Sequence, residues 1–141
     1  MAIKNYTSGV SPFTSISDIQ AALATHGASK IMIDYTDGKP TAVSFALPDA
    51  QRGFQGFMLP AAVDGTLRVF KAQGLREDRE QAERTAWKNI RDWVLAQIAL
   101  VEACDVPIDQ VFLPYLTDGT GKTLYDAYSA GKLLLGGGDD G

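Results

Sequence analysis

Three basic residues at helical spacing are the first candidates for binding chemistry. Arg84, Lys88 and Arg91 stand at i, i+4 and i+7, so a helix would place them along one face, within reach of a common phosphate or diphosphate. Trp87 and Asn89 lie among them and would supply a flat ring and an amide that reads a base edge. This set predicts binding of an anionic ligand that carries an aromatic ring.

The same three cations also fit a structural role. Glu80 lies four residues before Arg84, and Lys88 lies four residues before Asp92, which is the spacing of ion pairs on a helix surface. Such pairs are usually solvated and each contributes little to stability. From spacing alone, a ligand site and a solvated helix face both remain open.

The stretch "TDGTGKTLY" (residues 117 to 125) ends as a phosphate-binding loop ends. Such a loop needs a further glycine five residues before Gly121, and the chain has Leu116 there. Asp118-Gly119 is a common turn pair. The stretch therefore predicts a turn before a final helix, without magnesium-dependent triphosphate binding.

Aromatic residues concentrate around this turn. We expect Phe112 or Tyr115 to stack on a purine, with Tyr125 as a further ring near the ligand. Lys122, or the N–H groups near Thr123, would meet a phosphate at the helix start. The alternative is that the rings only pack the last helix onto the core.

Residues suited to catalysis are few. His26 is the only histidine and lies beside Gly27, where it suits the carbonyl end of a helix. Cys104 is the only cysteine, and its apolar neighbours predict a small core residue. We predict no metal site and no cofactor, and no spacing selects an acid–base pair of carboxylates. A binding protein is favoured over an enzyme, and a small hydrolase stays as a weaker alternative.

Composition limits the class of protein. A chain of 141 residues with 45% hydrophobic residues can bury one core, and we expect a single domain over residues 1–135 with a flexible tail at 136–141. The net charge of −4 argues against binding of long nucleic acids. With no apolar run near 18 residues and no signal-peptide pattern, we expect a cytoplasmic protein without a membrane partner.

The candidate residues must be positioned by a mixed set of elements. Strands are predicted at 31–35, 41–47 and 53–59, with a hairpin turn at Asp37-Gly38 and an edge strand at 4–7. Helices are predicted at 18–24 after a Ser15 or Ser17 cap, and at 63–70, 77–104 and 123–132. The prediction is an α+β fold: an antiparallel sheet of three to four strands, a long helix in the C-terminal half and shorter flanking helices.

The second half of the long helix is apolar on nearly every side. Between Val94 and Ala103 only Gln97 and Glu102 are polar. A chain this short has little else to cover such a helix. We therefore expect a homo-oligomer with this helix at or near an interface.

Three segments together resemble a known family. "MAIKNYTSGVSPFTSISDIQAALATHGASKIMIDY", "REQAERTAWKNIRDWVLAQIALVEA" and "VFLPYLTDGTGKTLYDAYSAGKL" are similar to the first type of Thoeris anti-defence protein, found in phages and prophages. The resemblance implies a protein that sequesters cyclic ADP-ribose isomers, made by TIR-domain enzymes, without cleaving them. It also implies dimers with ligand pockets at the subunit interface, assembled into hexamers; some members bind cyclic oligonucleotides at separate sites.

The resemblance places function on two segments, Ala86 to Trp93 and Phe112 to Tyr125. The expected function is a phage-encoded binder that sequesters a cyclic nucleotide signal in the cytoplasm of an infected bacterium. An accessory phage protein that binds nucleic acid or a protein through Arg84, Lys88 and Arg91 is the runner-up.

Overall fold

A computed structural model describes residues 1–131 of the chain. The elements follow in the order α1 (Pro12–Thr25), β1 (Lys30–Thr36), β2 (Lys39–Asp49), β3 (Gly53–Pro60), α2 (Val63–Ala72), α3 (Arg79–Cys104), α4 (Ile108–Phe112), a 3-10 turn (Leu113–Tyr115), β4 (Leu116–Thr117) and α5 (Leu124–Ser129). This is the predicted α+β fold with an antiparallel sheet and a long helix in the C-terminal half. The predicted domain end at 135 and the tail at 136–141 lie outside the described residues. The last helix ends at Ser129, three residues before the predicted end at Lys132.

The sheet has the order β1-β2-β3-β4, and neighbouring strands are antiparallel. Between β1 and β2, Asp37 and Gly38 both have positive φ, at 53° and 76°. Two consecutive positive φ angles belong to the tight turn whose twist matches a two-stranded hairpin. The predicted hairpin is thus confirmed. Each of the three observed strands is longer than its predicted range, by one to four residues.

The fourth strand is not the predicted one. Residues 4–7 form a turn in which Asn5 has φ 65°, and the side chains of Gln81, Thr85 and Asn89 on α3 hold the carbonyl groups of this segment. Backbone groups held by a helix are not free for a strand ladder. The fourth strand is β4 instead, where Leu116 and Thr117 pair with Phe57 and Gly56.

The core lies between one face of the sheet and the helices α1 and α3. Its fully buried members include Ile19, Leu23, Val43, Phe57, Leu59, Trp87, Val94 and Phe112. A second cluster joins α2 to the first half of α3 through Val63, Phe70, Ala82 and Ala86, with Tyr6 edge-on to Phe70 at 5.3 Å. Because one stripe of α3 is buried against these clusters, only the side chains on its other faces can reach solvent.

Two helix details differ from the sequence prediction. α1 begins at Pro12 rather than after Ser15 or Ser17, because Ser11 caps it by accepting a hydrogen bond from Thr14 N. Cys104 is exposed, so the prediction of a core cysteine is wrong. α3 has 26 residues, and none of its last six, 99–104, is buried by residues 1–131.

The exposed side of that end is apolar. Ala96, Ala99, Leu100, Ala103 and Cys104 are exposed and recur at i, i+3, i+4, i+7 and i+8, which is one face of a helix. We name these five residues the α3 apolar face. Among residues 1–131, no helix has the length and hydropathy that crossing a membrane requires.

Candidate ligand-binding cleft

A cleft of about 800 Å³ opens between β3, the loop after β4, and α5. Its lining combines polar and apolar side chains, with one aromatic ring and two cations: Arg52, Phe54, Gln55, Gly56, Leu116, Thr117, Asp118, Thr120, Lys122, Thr123, Leu124, Asp126, Ala127 and Ala130. We name it the β3–α5 cleft. Its volume lies within the usual range of small-ligand pockets.

Phe54 supplies the aromatic surface of the cleft. Side chains alternate along β3, so Phe57 points into the core with no exposure while Phe54 points to the other face and is 52% exposed. The ammonium group of Lys30, on β1, lies 5.0 Å from the centre of the Phe54 ring. A large exposed ring with a cation beside it is a surface on which a flat ring can stack.

Two further cations border the cleft. Arg52 lies in the β2–β3 turn, where its backbone N donates to Asp49 Oδ2 at 3.1 Å and its Nε lies 3.4 Å from the same oxygen. Lys122 lies in the loop before α5, is exposed, and makes no ion pair within the described part of the chain. The positive charge comes from two segments far apart in sequence.

The loop between β4 and α5 is a turn, as predicted from "TDGTGKTLY". Gly119 and Gly121 have φ of 94° and 89°, which side chains on L-residues rarely allow. Asp118 Oδ1 accepts hydrogen bonds from the hydroxyl of Thr120 at 2.7 Å and from its backbone N at 3.0 Å. The hydroxyl first, and then the backbone N–H, lower the pKa of Asp118, so this carboxylate is charged at neutral pH.

The start of α5 differs from the expected phosphate site. Thr123 N donates to Asp126 Oδ2 at 2.9 Å, and Asp126 N donates to Thr123 Oγ1 at 3.3 Å. This capping box uses two of the N–H groups near Thr123 that were expected to meet a phosphate, and it adds a carboxylate there. Thr123 lines the cleft, but its backbone N–H is already bonded. The cations of the lining are Lys122 and Arg52, and Arg52 is paired with Asp49 through Nε.

Phe112 and Tyr115 do not provide the predicted stacking surface. Phe112 is 0% exposed and packs edge-on against Phe45 at 5.3 Å and Trp93 at 5.5 Å. Tyr115 is half-buried and packs edge-on against Trp93 at 5.4 Å. These rings attach α4 and the 3-10 turn to the core, whereas the alternative that the sequence left open had them pack the last helix.

Tyr125 is exposed but does not line the β3–α5 cleft. It lies on α5 beside Tyr128, with ring centres 6.1 Å apart. Its exposure of 58% is similar to that of Phe54. Tyr125 is therefore a useful control for Phe54, because its ring is similarly exposed but does not line the cleft.

The basic stripe of α3 is occupied by protein partners. Arg91 Nε donates to Asp18 Oδ2 on α1, and Arg91 Nη1 donates to Asp92 Oδ1, both at 3.1 Å. Lys88 Nζ lies 3.6 Å from Asp92 Oδ1, which confirms that predicted pair. Arg84 Nη2 donates to Gln81 Oε1 at 2.6 Å rather than pairing with Glu80.

Asp92 is the centre of this charged group. Burial favours a higher pKa for Asp92, but hydrogen bonds from Asn5, Arg91 and Lys4, together with the charge of Lys88, outweigh it and lower the pKa to about 2. The hydrogen bond to Asp92, and then the one to Asp18, raise the pKa of Arg91. These mutual shifts indicate a structural ion-pair network that joins α3 to α1 and to the N-terminal segment.

Trp87 and Asn89 are also structural. Trp87 is 0% exposed, and its indole Nε1 donates to Pro40 O at 3.2 Å, so no ring face is open to a ligand. The Asn89 amide accepts from Asn5 Nδ2 at 2.8 Å and donates to Lys4 O at 3.1 Å. Asn89 was expected to read a base edge, but the oxygen and the nitrogen of its amide both bond the N-terminal turn.

Of the ten predicted site residues, only Lys122 and Thr123 line the cleft. Sequence reasoning missed Arg52, Phe54 and Gln55. One signal was present: Phe54 and Phe57 are three residues apart in a predicted strand, so they must face opposite sides, and one ring must be exposed. The prediction treated this strand only as Phe-rich.

Comparison with protein-family models, curated proteins and solved structures gave no match to this chain.

Proposed function

We propose that this chain binds a cyclic ADP-ribose-type nucleotide in the β3–α5 cleft and sequesters it without cleavage. The observation that carries the proposal is the exposed Phe54 ring, which lines a cleft of about 800 Å³ together with two cations, Arg52 and Lys122. An aromatic surface that shares a cleft with cations matches a ligand that carries a purine and a diphosphate.

The cleft offers a complementary group for each part of such a ligand. The purine would stack on Phe54, and the diphosphate would lie near Arg52 and Lys122. Thr120 and Gln55 carry polar groups suited to ribose hydroxyls. Asp118 and Asp126 would repel a phosphate placed close to α5, which favours the Arg52 side of the cleft for the anion.

Sequestration rather than hydrolysis is supported by how the reactive groups are used. Asp126 is held in the capping box by hydrogen bonds with Thr123. Asp118 accepts a hydrogen bond from Thr120 and has a lowered pKa, which does not suit it to a proton-donor role at neutral pH. The single histidine, His26, is bonded to Glu102 at the end of α1. The proposed protein holds its ligand by stacking and charge.

The biological setting follows from the family resemblance. We propose a phage-encoded anti-defence protein that acts in the cytoplasm of an infected bacterium and forms homo-oligomers. The α3 apolar face supports self-association, because Leu100 is 49% exposed within a row of small apolar side chains that a second copy can cover.

The direct test is a recovery experiment. Purified protein is mixed with individual cyclic ADP-ribose isomers, the protein is removed by filtration, and the retained fraction is heated and analysed by chromatography. Ligand that is retained and released intact supports the proposal. Ligand recovered as a product would indicate a hydrolase, and ligand left in the filtrate would favour an accessory nucleic-acid- or protein-binding role.

Two variants locate the site in the same experiment. Phe54→Ala removes the ring of the cleft, whereas Tyr125→Ala removes a ring of similar exposure outside its lining. Retention should fall for the first variant and stay unchanged for the second. Equal retention by both variants would place the ligand elsewhere.

A further inference from the structure

β1 forms an edge of the sheet, and no strand of residues 1–131 pairs with its outer side. β2 is its one neighbour in the sheet of the described residues, and every residue of β1 is exposed or half-buried. An edge strand presents unpaired N–H and C=O groups that another strand can bond. The chemistry of this edge therefore decides what it can accept.

The ladder between the strands tells which β1 residues have free backbone groups. Ala61 N donates to Thr41 O at 2.9 Å, so the backbone groups of Thr41 point toward β3. Backbone direction alternates along a strand, so every second residue of β2 after Thr41 also forms its hydrogen bonds with β3. The intervening residues bond toward β1, and their partners are Lys30, Met32 and Asp34. Consequently Ile31 and Ile33 direct their N–H and C=O groups to the open side.

We propose that β1 pairs with β1 of a second copy of this chain, antiparallel, about a twofold axis at Met32. In this register Lys30 lies opposite Asp34 of the second copy, and Ile31 lies opposite its Ile33. The free backbone groups of Ile31 and Ile33 then bond each other across the axis. Two four-stranded sheets become one continuous sheet of eight strands.

The side chains of β1 are self-complementary in this register. Lys30 and Asp34 share the outer face of the sheet with Met32, so each charge meets its opposite across the axis and the methionines meet each other. Ile31 and Ile33 share the core face, where both pack against the core. The regular pairing of β1 with β2 ends in a register shift between Asp34 and Tyr35, so the regular segment 30–34 is centred on Met32.

This symmetry favours a second copy over an unrelated strand. Met32 has an isoleucine on each side, and the oppositely charged Lys30 and Asp34 lie two residues away on either side. An isologous interface requires such a pattern, since residue i must fit residue j and residue j must fit residue i. The proposed contact does not involve the α3 apolar face, and it shares one residue, Lys30, with the surroundings of the Phe54 ring.

Charge reversal tests the pairing. Lys30→Asp alone leaves only acidic residues at both positions, and Asp34→Lys alone leaves only lysines, so each variant should self-associate through β1 about tenfold more weakly or worse. Mixing the two variants, one carrying an affinity tag, should give a heterodimer, because every cross-strand pair is then of opposite charge. The double variant Lys30→Asp/Asp34→Lys should regain self-association.

Cysteine cross-linking tests the register. On a Cys104→Ser background, Met32→Cys places two Cα atoms about 4.5 Å apart across the axis, within disulfide reach. Lys30→Cys is the matched control: its two copies would lie about 13 Å apart, four residues out of step. Rapid disulfide formation by Met32→Cys but not by Lys30→Cys is expected.

Equal cross-linking of both cysteine variants, or no preference for the mixed pair of charge variants, would overturn the proposal. Neither experiment uses the nucleotide. A failure here therefore leaves the proposed ligand function standing, and failed ligand binding leaves this interface standing.

Discussion

The ammonium group of Lys30 on β1 lies 5.0 Å from the centre of the Phe54 ring on β3, reaching across β2. The two residues come from different strands, and the contact orients the ring that lines the β3–α5 cleft. A cation placed beside a ring stabilises it by about 0.5 to 1 kcal/mol at an exposed site. The ring is thus positioned before a ligand arrives.

Lys30→Met should weaken nucleotide binding about two- to fivefold, because Phe54 loses the cation that orients it and the cleft loses a nearby positive charge. Titration calorimetry measures the change. Asp34→Asn is the control, since it removes the other charged residue of the β1 pairing segment and leaves the Phe54 ring untouched. If both variants lose the same affinity, the effect comes from assembly and not from the ring.

Trp87→Ala should lower the free energy of unfolding by about 3 to 5 kcal/mol, because a fully buried indole and its bond to Pro40 O are lost. Phe54→Ala should change it by less than about 0.5 kcal/mol, since that ring is exposed. Urea unfolding followed by circular dichroism compares the two. If Trp87→Ala has unchanged stability but no longer binds the nucleotide, Trp87 is a ligand-binding residue after all.

Arg91→Ala should reduce stability by about 1 to 3 kcal/mol and leave nucleotide affinity unchanged. The reason is that Arg91 bonds Asp18 and Asp92, and its removal separates α1 from α3 at that point. Unfolding and calorimetry on the same preparation separate the two effects. A loss of affinity with unchanged stability would return the basic stripe to a ligand role.

The pair of His26 and Glu102 predicts a pH dependence. Hydrogen bonds from the ring to Glu102, and then to Ala22 O, raise the pKa of His26 above 6.5. A raised folded-state pKa contributes stability that is complete below the unfolded value and is lost as pH rises through the folded value. Glu102→Gln should therefore cost more stability near pH 5.5 than near pH 8.5, by up to about 1 kcal/mol for this exposed pair. An equal cost at both pH values would exclude the charged pair.

The local chemistry of turns and strands was predictable from the sequence. Asp37-Gly38 specified the first hairpin, and the "TDGTGKTLY" turn was identified because Leu116 replaces the glycine of a phosphate loop. Each of these depends on a few neighbouring residues. The interpretation of residues 4–7 as a strand failed because Asn5 bonds Thr85 and Asn89, which lie 80 and 84 positions away, and no local pattern reveals such contacts.

The binding site was less predictable, for the same reason. The spacing of Arg84, Lys88 and Arg91 correctly places them on one helix. However, Asp18, which accepts a hydrogen bond from Arg91, lies 73 residues away in the sequence. The cleft joins Arg52 and Phe54 to Lys122, and only the pairing of β3 with β4 brings these segments together. Strand alternation indicated an exposed ring on β3, although not what would lie opposite it.

The most direct test of the proposed function is calorimetric titration of cyclic ADP-ribose isomers into the parent protein, Phe54→Ala and Tyr125→Ala. Stacking on an aromatic ring contributes roughly 1 to 3 kcal/mol per base, so Phe54→Ala should bind at least about tenfold more weakly. Tyr125→Ala should bind as the parent does. If no isomer binds the parent protein, or if Phe54→Ala retains full affinity, the β3–α5 cleft is not the site of nucleotide sequestration.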